Sequence, residues 1–293
     1  MKTNLFSLIS STLLIVSCTN QEPTIEYVTI TETVKETNTV ELDPFADTTL
    51  EGNITEDLTL DPTKIWLIKG RVSVVEGVTL TIPAGTILKA TSGTGADAST
   101  LIIARGGFIE ANGTPEKPII MTSVSDNIQV GGTHPQSGPS LNVDTRGLWG
   151  GLLILGKAPC SFSGDVSELQ IEGIPTSDKN GLYGGNDPND SSGSIQYVSI
   201  RHGGAEIGEG NEINGLTLGG VGSGTTIDNI EVIANIDDGI EFFGGTVNAS
   251  NLLVWGQGDD AIDIDQGYSG TIDGVLVILT AASDHGLEID GPE

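Results

Sequence analysis

Short runs of alternating apolar and polar residues, separated by glycine, asparagine and aspartate, fill the chain from about residue 51 onward. VTLTIPAGTILKA (78–90) and GFIEANGTPEKPIIMTS (107–123) both follow this pattern. Because successive side chains of a strand point to opposite faces, such runs predict many short strands, each with one buried face. No stretch outside the N-terminus shows sustained helical periodicity, so the pattern predicts an all-β chain.

Four short rungs repeat in the C-terminal third. They are INGLTLGG (213–220), DDGIEFFG (237–244), DDAIDIDQ (259–266) and DHGLEIDG (284–291), and their starts lie 24, 22 and 25 residues apart. Each interval holds a second strand-like segment. A period in the low twenties with several short strands per period predicts a parallel β-helix, in which each coil stacks on the next and buries a continuous core.

The alternation within the rungs predicts which side chains face the core. The two inward rows are Leu216, Ile240, Ile262 and Leu287, and Leu218, Phe242, Ile264 and Ile289. The two outward rows are Thr217, Glu241, Asp263 and Glu288, and Gly219, Phe243, Asp265 and Asp290. Two longer segments, 124–146 and 174–193, lack strand character and are predicted to project as loops.

Three runs carry a family resemblance. GTPEKPIIMTS (113–123), LWGGLLILG (148–156) and SIQYVSIRHGG (194–204) resemble a module of lipid-anchored right-handed parallel β-helix repeat proteins of the pectate-lyase-like superfold. The resemblance covers roughly residues 75–293. It implies a right-handed parallel β-helix, a solenoid, and says little about chemistry.

The N-terminus has the pattern of a bacterial lipoprotein signal. Lys2 precedes an apolar run, 5–16, that is too short to span a bilayer, and the sequence ending in Cys18 resembles a lipobox. We expect residues 1–17 to be a signal peptide and Cys18 to be lipidated, with palmitate-like acyl chains. Several acyl chains on one cysteine are enough for stable anchoring.

The remaining chain divides into a tether and one large domain. Residues 18–45 are rich in threonine and glutamate and are predicted to be the lipidated cysteine and a flexible tether. Residues 46–293 are predicted to be the β-helix domain. Because GPE directly follows a strand, we expect this domain to be truncated at its C-terminal end. The expected location is the bacterial outer membrane or cell surface, with the periplasmic face as an alternative.

The charge is strongly unbalanced. The chain has 12 lysines and arginines against 40 aspartates and glutamates, a net charge of −28, and no lysine or arginine follows Arg201. Such a field repels nucleic acid, so nucleic acid is not expected as a partner. It favours metal cations, neutral glycans or simple solvation. Contact with a membrane is therefore expected through the lipid anchor.

The acidic rungs also resemble those of polygalacturonase-type glycoside hydrolases. The matching positions are Asp238, Asp259, Asp260 and His285. The resemblance implies catalytic residues for inverting hydrolysis, in which one carboxyl protonates the leaving oxygen and others activate a water. The sequence departs from that pattern, since the last rung reads Asp-His-Gly and no base follows to hold a substrate carboxylate.

The outward rows suggest a second chemistry. Coils stack about 4.8 Å apart, which predicts one ladder of Glu241, Asp263 and Glu288 and another of Asp265 and Asp290. Carboxylates at this distance repel by about 1 kcal/mol in water and about 3–4 kcal/mol at an effective dielectric constant of 20. Solvent screening, a retained proton or a bridging Ca²⁺ would relieve the repulsion.

Three interpretations of the aspartates therefore stay open: corner and solvation residues, a cation site with Ca²⁺ as its cofactor, or a hydrolase site. We expect a membrane-anchored structural or binding module that is related to polysaccharide and acts without catalysis. The alternative is a polysaccharide hydrolase or lyase that uses the acidic rungs between residues 237 and 290.

Overall fold

The computed structural model describes residue 45 and residues 47–131, 141–164, 166–206 and 213–292. The predicted signal peptide, Cys18 and almost the whole predicted tether lie outside these residues. Seventeen of the nineteen strands described form one large sheet, and two form a small antiparallel pair. The only helices in the described parts are two three-residue 3-10 turns, Gly95–Asp97 and Lys179–Gly181, and none could cross a membrane.

The strands follow one another along the whole described chain. Their bounds are β1 Thr49–Ile54, β2 Leu58–Thr59, β3 Ile65–Val74, β4 Thr79–Pro83, β5 Ile87–Ala90, β6 Thr100–Ile103, β7 Phe108–Asn112, β8 Ile119–Ser123, β9 Leu152–Leu155, β10 Leu169–Gln170, β11 Leu182–Tyr183, β12 Gly193–Arg201, β13 Leu216–Gly219, β14 Thr226–Ile233, β15 Ile240–Phe243, β16 Asn248–Trp255, β17 Ile262–Asp265, β18 Ile272–Ile278 and β19 Glu288–Ile289.

Parallel pairing between coils arranges the strands in three faces. Face I contains β2, β4, β7 and the first halves of β12, β14, β16 and β18. Face II continues from the first half of β3 through β5 and β8 to the second halves of the same long strands. Face III contains the second half of β3, then β6, β9, β13, β15, β17 and β19. The predicted all-β parallel β-helix is confirmed, and the topology is consistent with the right-handed form.

Left-handed residues separate face I from face II within the long strands. Tyr197, Asn229 and Asn251 have φ values of 50°, 54° and 56°, and Gly274 has 76° in the next coil. The paired register between coils skips these positions. Glycine adopts this conformation freely and asparagine tolerates it better than most residues. One residue therefore bends each long strand so that it serves two faces.

The core consists of stacked apolar rows, as the alternation predicted. Leu216 pairs with Ile240 and Ile240 with Ile262, while Phe242 lies between Leu218 and Ile264. Phe242 is fully buried. The same rows end in Leu287 and Ile289, which were predicted to face inward but are 54% and 64% exposed. They belong to the last coil described, where only one neighbouring coil covers them.

The segment 156–192, which we call the insertion, packs against the outer side of face III. Tyr183 makes edge contacts with Phe162 and Phe243, at ring-centroid distances of 5.3 and 6.1 Å. The remaining apolar contacts come from residues of the insertion and of the sheet beneath it: Ile102, Leu153, Leu155, Ile171, Ile174 and Ile213. The segment 174–193 is a loop as predicted, apart from a 3-10 turn and β11, but the prediction that it projects is wrong, because it covers apolar surface.

The described ends of the other long segment, 124–146, also pack on the β-helix. The Lys89 ammonium donates a hydrogen bond to the carbonyl of Asp126 at 2.6 Å, and His202 Nδ1 lies 2.7 Å from the carbonyl oxygen of Thr145. Arg146 Nε donates to the carbonyl of Gly256 at 2.8 Å. These contacts fasten residues 124–131 and 141–147 to several coils.

We expect Phe242→Ala to destabilise the domain by about 3–5 kcal/mol, because the fully buried ring leaves a cavity between two coils. The measurement is chemical denaturation followed by circular dichroism. Phe108→Ala is the matched control, since Phe108 is 36% exposed on face I, and it is expected to cost about 1 kcal/mol. Equal losses for the two variants would contradict this description of the core.

Candidate functional site

A ladder of side-chain oxygens marks the corner before face III. Asn214 Oδ1 accepts a hydrogen bond from the backbone N–H of Asp238 at 3.3 Å, and Asp238 Oδ1 accepts one from the N–H of Asp260 at 2.9 Å. One coil further, Asp260 Oδ1 accepts the N–H of His285 at 2.8 Å. Each side chain therefore satisfies a backbone donor at the turn of the next coil. Asp238 and Asp260 hold this corner together.

The four residues that resemble hydrolase positions lie at this corner. Asp238 and Asp260 are buried, at 7% and 2% exposure, whereas Asp259 and His285 are exposed. His285 Nδ1 lies 3.1 Å from Asp260 Oδ1. Burial, together with the charges of Asp260 and Asp284, raises the pKa of Asp259. The structure thus brings all four predicted residues together but removes two of them from solvent.

The predicted carboxylate ladder has the expected register. Glu241 on β15 pairs with Asp263 on β17, and Asp263 pairs with Glu288 on β19. The row changes from buried to exposed along the stack: Glu241 is 7% exposed, Asp263 is half-buried and Glu288 is exposed. Glu288 belongs to the last coil described, where only one neighbouring coil lies against it. The outward row is therefore a surface ladder only at its last member.

Three carboxyl groups converge at the covered end of the ladder. Asp238, Glu241 and Asp263 each offer one oxygen, and these oxygens all lie within 4.8 Å of one another. We call these three residues the carboxylate cluster. Two of them, Glu241 and Asp263, were predicted as cation ligands, whereas Asp238 was predicted as a catalytic corner residue.

The other three predicted cation ligands lie outside this group. Glu288 is hydrogen-bonded through its carboxyl to that of Asp260, and this contact raises the pKa of Glu288 to about 7. Asp265 Oδ1 accepts a hydrogen bond from the backbone N–H of Gln266 at 2.6 Å. Asp290 is exposed on the last coil described. The cation groups found among the described residues include none of the three.

Every member of the carboxylate cluster holds its proton more tightly than usual. Burial raises the pKa of Asp238 to about 8, and the nearby charges of Asp237, Asp263 and Asp260 act in the same direction. Burial also raises the pKa of Glu241 well above its ordinary value, with Glu172, Asp238 and Asp263 adding to it. Burial raises the pKa of Asp263 as well. Crowded carboxylates with little access to water disfavour the charged form.

The polar contacts of the cluster do not compensate its charge. The Asn214 amide donates a hydrogen bond to Glu241 Oε2. The Asp263 carboxyl is hydrogen-bonded to the Ile264 backbone and to the Glu241 carboxyl, and both contacts lower its pKa, but its buried Oδ1 has no hydrogen-bond partner among the described residues. An unsatisfied buried carboxylate oxygen is costly. Oxygen donors of this kind suit a hard cation such as Ca²⁺, so the cluster fits such an ion.

The spacing of the acids bears on the hydrolase interpretation. Inverting glycosidases hold their two carboxyl groups about 6.5–9.5 Å apart, so that a water fits beside the sugar. Asp237, Asp238 and Asp259 form a second close group, with one oxygen from each within 4.8 Å of the others. This separation is shorter than inverting hydrolysis requires. The geometry favours sharing of a proton or a cation between the acids.

Sequence reasoning missed two participants, Asn214 and Glu172, and one role of Asp238. Asn214 occupies the position in its rung that Asp238 occupies in the next, so the aligned repeats contained the signal for it. Asp238 was assigned to the corner alone, although the tight turn also brings its carboxyl beside the strand residue Glu241. Glu172 belongs to the insertion, which has no counterpart in the repeat, and no sequence signal places it near face III.

Comparison with known families agrees with this architecture. The family model described as a pectate-lyase-like β-helix domain matches residues 52–293. No curated protein and no solved structure gives a significant match. The family suggests a role related to polysaccharide. Because the match covers most of the chain and the coils have the expected parallel topology, the chain belongs to the pectate-lyase-like β-helix domain family.

Proposed function

We propose that this protein is a membrane-anchored β-helix module that binds polysaccharide, and that its carboxylate cluster holds a divalent cation such as Ca²⁺. The family supports the polysaccharide part, and the lipobox-like sequence at Cys18 supports anchoring at the outer membrane or cell surface. The observation that carries the cation part is the convergence of Asp238, Glu241 and Asp263 within 4.8 Å.

The cluster needs a source of positive charge. No lysine or arginine occurs after residue 201, and the charged groups that most strongly shift the pKa of Asp238, Glu241 and Asp263 are other acids. Neutralisation must therefore come from bound protons or from a cation. A divalent ion would displace the protons and satisfy Asp263 Oδ1 at the same time. Three carboxylates supply part of the six to eight oxygens that Ca²⁺ takes, and water or saccharide oxygens would supply the rest.

A polysaccharide hydrolase or lyase is the second candidate, and one observation favours it. With a pKa of about 8, Asp238 keeps its proton at neutral pH, as a general acid must. The neighbouring Asp259 is exposed and would be the group that meets a water. Against this stand the burial of Asp238 and its hydrogen bond to the Asp260 backbone.

Ca²⁺ is expected to raise the melting temperature of the wild-type domain relative to chelator, because it binds the folded cluster and not the unfolded chain. At a concentration about 100 times Kd the gain is about 2.7 kcal/mol, or roughly 5–10 °C for a domain of this size. Differential scanning fluorimetry and titration calorimetry measure the effect.

The variants Glu241→Gln and Asp263→Asn should lose most of this gain, since each removes a charged ligand while keeping the side-chain shape. Glu56→Gln is the matched control, because Glu56 is exposed and lies far along the chain from the cluster. No heat of binding and identical melting in Ca²⁺ and chelator would rule out the cation site.

In chelator, stability should fall as pH rises from about 4 to about 8. The unfolded carboxyls have ordinary pKa values near 4, whereas burial raises the folded pKa of Asp238 to about 8 and that of Glu241 well above normal. The folded state therefore binds more protons in this window, and its advantage is complete below the unfolded pKa and lost as pH passes the folded one. Thermal melts between pH 4 and 9 measure the slope.

Glu241→Gln and Asp238→Asn should flatten this pH dependence, because an amide resembles the protonated acid and does not titrate. Glu56→Gln should leave the slope unchanged, which separates the cluster from the general effect of the net charge. An unchanged slope in both cluster variants would show that the buried carboxyls do not control stability.

Wild-type protein on a glycan array is expected to bind saccharide without releasing reducing sugar from polysaccharides. Asp259→Asn/Asp260→Asn should retain the bound glycans, provided that circular dichroism shows a folded domain. Release of reducing ends or of unsaturated sugars by wild type, abolished in the double variant, would establish the enzyme instead. An array on which wild type binds no glycan would contradict the polysaccharide proposal.

A further inference from the structure

The outer side of face II is apolar in its last two coils described. Leu252 and Val254 of β16 belong to the buried core, so the residues next to them along the strand point outward. Parallel pairing puts the corresponding residues of β18 in the same two rows. We call these four outward residues the apolar patch: Leu253, Trp255, Leu276 and Ile278.

The apolar patch is open to solvent. Leu276 is 55% exposed and Ile278 is 42% exposed, while Leu253 and Trp255 are half-buried. Leu253 and Trp255 have a paired coil on both sides, so their exposure does not come from a position on the last coil described. A contiguous group of exposed apolar side chains marks an interaction site, whereas a single one needs no explanation.

Other parts of the same outward rows are covered by the chain itself. Ile87 of β5 and Ile120 of β8 are buried and pack against Ile128, which follows β8 in the chain. Further along the stack, a Cβ on Gly256 would lie only 2.3 Å from Val143 Cγ2. Residues 124–131 and 141–147 therefore cover face II up to the border of the apolar patch.

The contacts of residues 141–147 show what the border of the patch accepts. Val143 packs against the backbone of Gly256, the residue that directly follows Trp255. Three residues after Val143, Arg146 Nε donates a hydrogen bond to the Gly256 carbonyl at 2.8 Å, and its Nη2 donates one to Thr280 Oγ1 at 3.2 Å. A segment that combines an apolar residue with a cation is thus already bound beside the patch.

Exposed acids lie near the patch on both sides along the chain. Asp273 precedes Leu276 by three residues, and Asp259 follows Trp255 by four. No lysine or arginine occurs after residue 201. The surroundings of the patch are therefore negative, and they attract a partner that carries positive charges beside its apolar residues.

The arginines that pack on face II do not cancel this negative field. Arg146 lies 3.9 Å from Asp144, and Arg201 lies 3.4 Å from Glu231, so each has an acid beside it. A second copy of the chain would bring two acidic surfaces together, and an anionic membrane would be repelled for the same reason. A basic segment of another protein meets neither obstacle.

We infer that the apolar patch docks a segment of a partner protein in which apolar side chains are flanked by lysine or arginine. The apolar side chains of the partner cover the patch, and its cations face Asp259 and Asp273. The patch lies on face II and the carboxylate cluster on face III, so this interaction does not depend on the proposed function.

The test uses fluorescence anisotropy of the folded protein with three labelled peptides of equal length. One alternates valine with lysine, one alternates valine with glutamate, and one alternates serine with lysine. Wild type should bind the valine–lysine peptide at least about tenfold more tightly than either of the others, because each of those lacks one half of the recognised chemistry. Added salt should weaken this binding by screening the exposed charges.

Leu276→Asp should weaken binding of the valine–lysine peptide about tenfold, because it removes apolar contact area. The added negative charge by itself would strengthen attraction to a basic peptide, so a loss of affinity reports the apolar contact. Ile278→Thr should also weaken binding, and it keeps a β-branched residue suited to a strand if the aspartate disturbs the fold.

Leu287→Asp is the matched control. Leu287 is 54% exposed, almost the same as Leu276, and it belongs to the last coil described but lies at the start of face III. This variant should bind the peptide like wild type. Equal losses at positions 276 and 287 would overturn the inference, as would equal affinity of wild type for the valine–lysine and serine–lysine peptides or no binding of either.

Two other occupants have their own readouts. Light scattering that shows a dimer in wild type and Leu287→Asp, but a monomer in Leu276→Asp, would assign the patch to a second copy of the chain. Binding to phosphatidylcholine–phosphatidylglycerol vesicles that only Leu276→Asp and Ile278→Thr lose would assign it to a membrane. Either result would overturn the inference.

Discussion

Stacking of equivalent positions in successive coils is the constraint on which the rest of this structure depends. Parallel pairing places each side chain about 4.8 Å from its counterpart in the next coil. The side chains of one row therefore contact one another along the whole stack. Apolar rows gain from this, as Leu218, Phe242 and Ile264 do in the core. Acidic rows are destabilised by repulsion between neighbouring carboxylates. Glu241 and Asp263 are neighbours in such a row.

The insertion makes this repulsion more costly at one end of the row. It covers face III through Phe162 and Tyr183, and the charge of its Glu172 adds to that of the row at the buried Glu241. Glu288, on the last coil described, is exposed. Two glutamates of the same row, Glu241 and Glu288, therefore differ in their access to water. Where water is excluded, the charge must be met by a proton or a cation, and this is the physical basis of the candidate site.

Much of this could be predicted because solenoid coils repeat. The register of Leu216, Ile240 and Ile262, the outward direction of Glu241 and the parallel fold all followed from alternation and period. What could not be predicted came from outside the repeat. The fold of the insertion over face III depends on tertiary contacts of Tyr183 and Phe162, which have no periodic signal. Burial of the outward row, and hence its chemistry, depended on that insertion.

The corner ladder changes what the hydrolase-like spacing means. A tight corner leaves a backbone N–H that needs an acceptor in every coil, and Asn214, Asp238 and Asp260 supply it in turn. A β-helix with Asp at this position will therefore show acids one coil apart whether or not it cleaves a glycosidic bond. A catalytic carboxyl must also keep an oxygen free for substrate and a path to water. Asp260 is 2% exposed, and its Oδ1 is held by the backbone N–H of His285 and faces its ring nitrogen. The spacing of Asp238 and Asp260, one coil apart, is explained by the turn. Chemistry at this corner would have to come from Asp259 and its exposed neighbours.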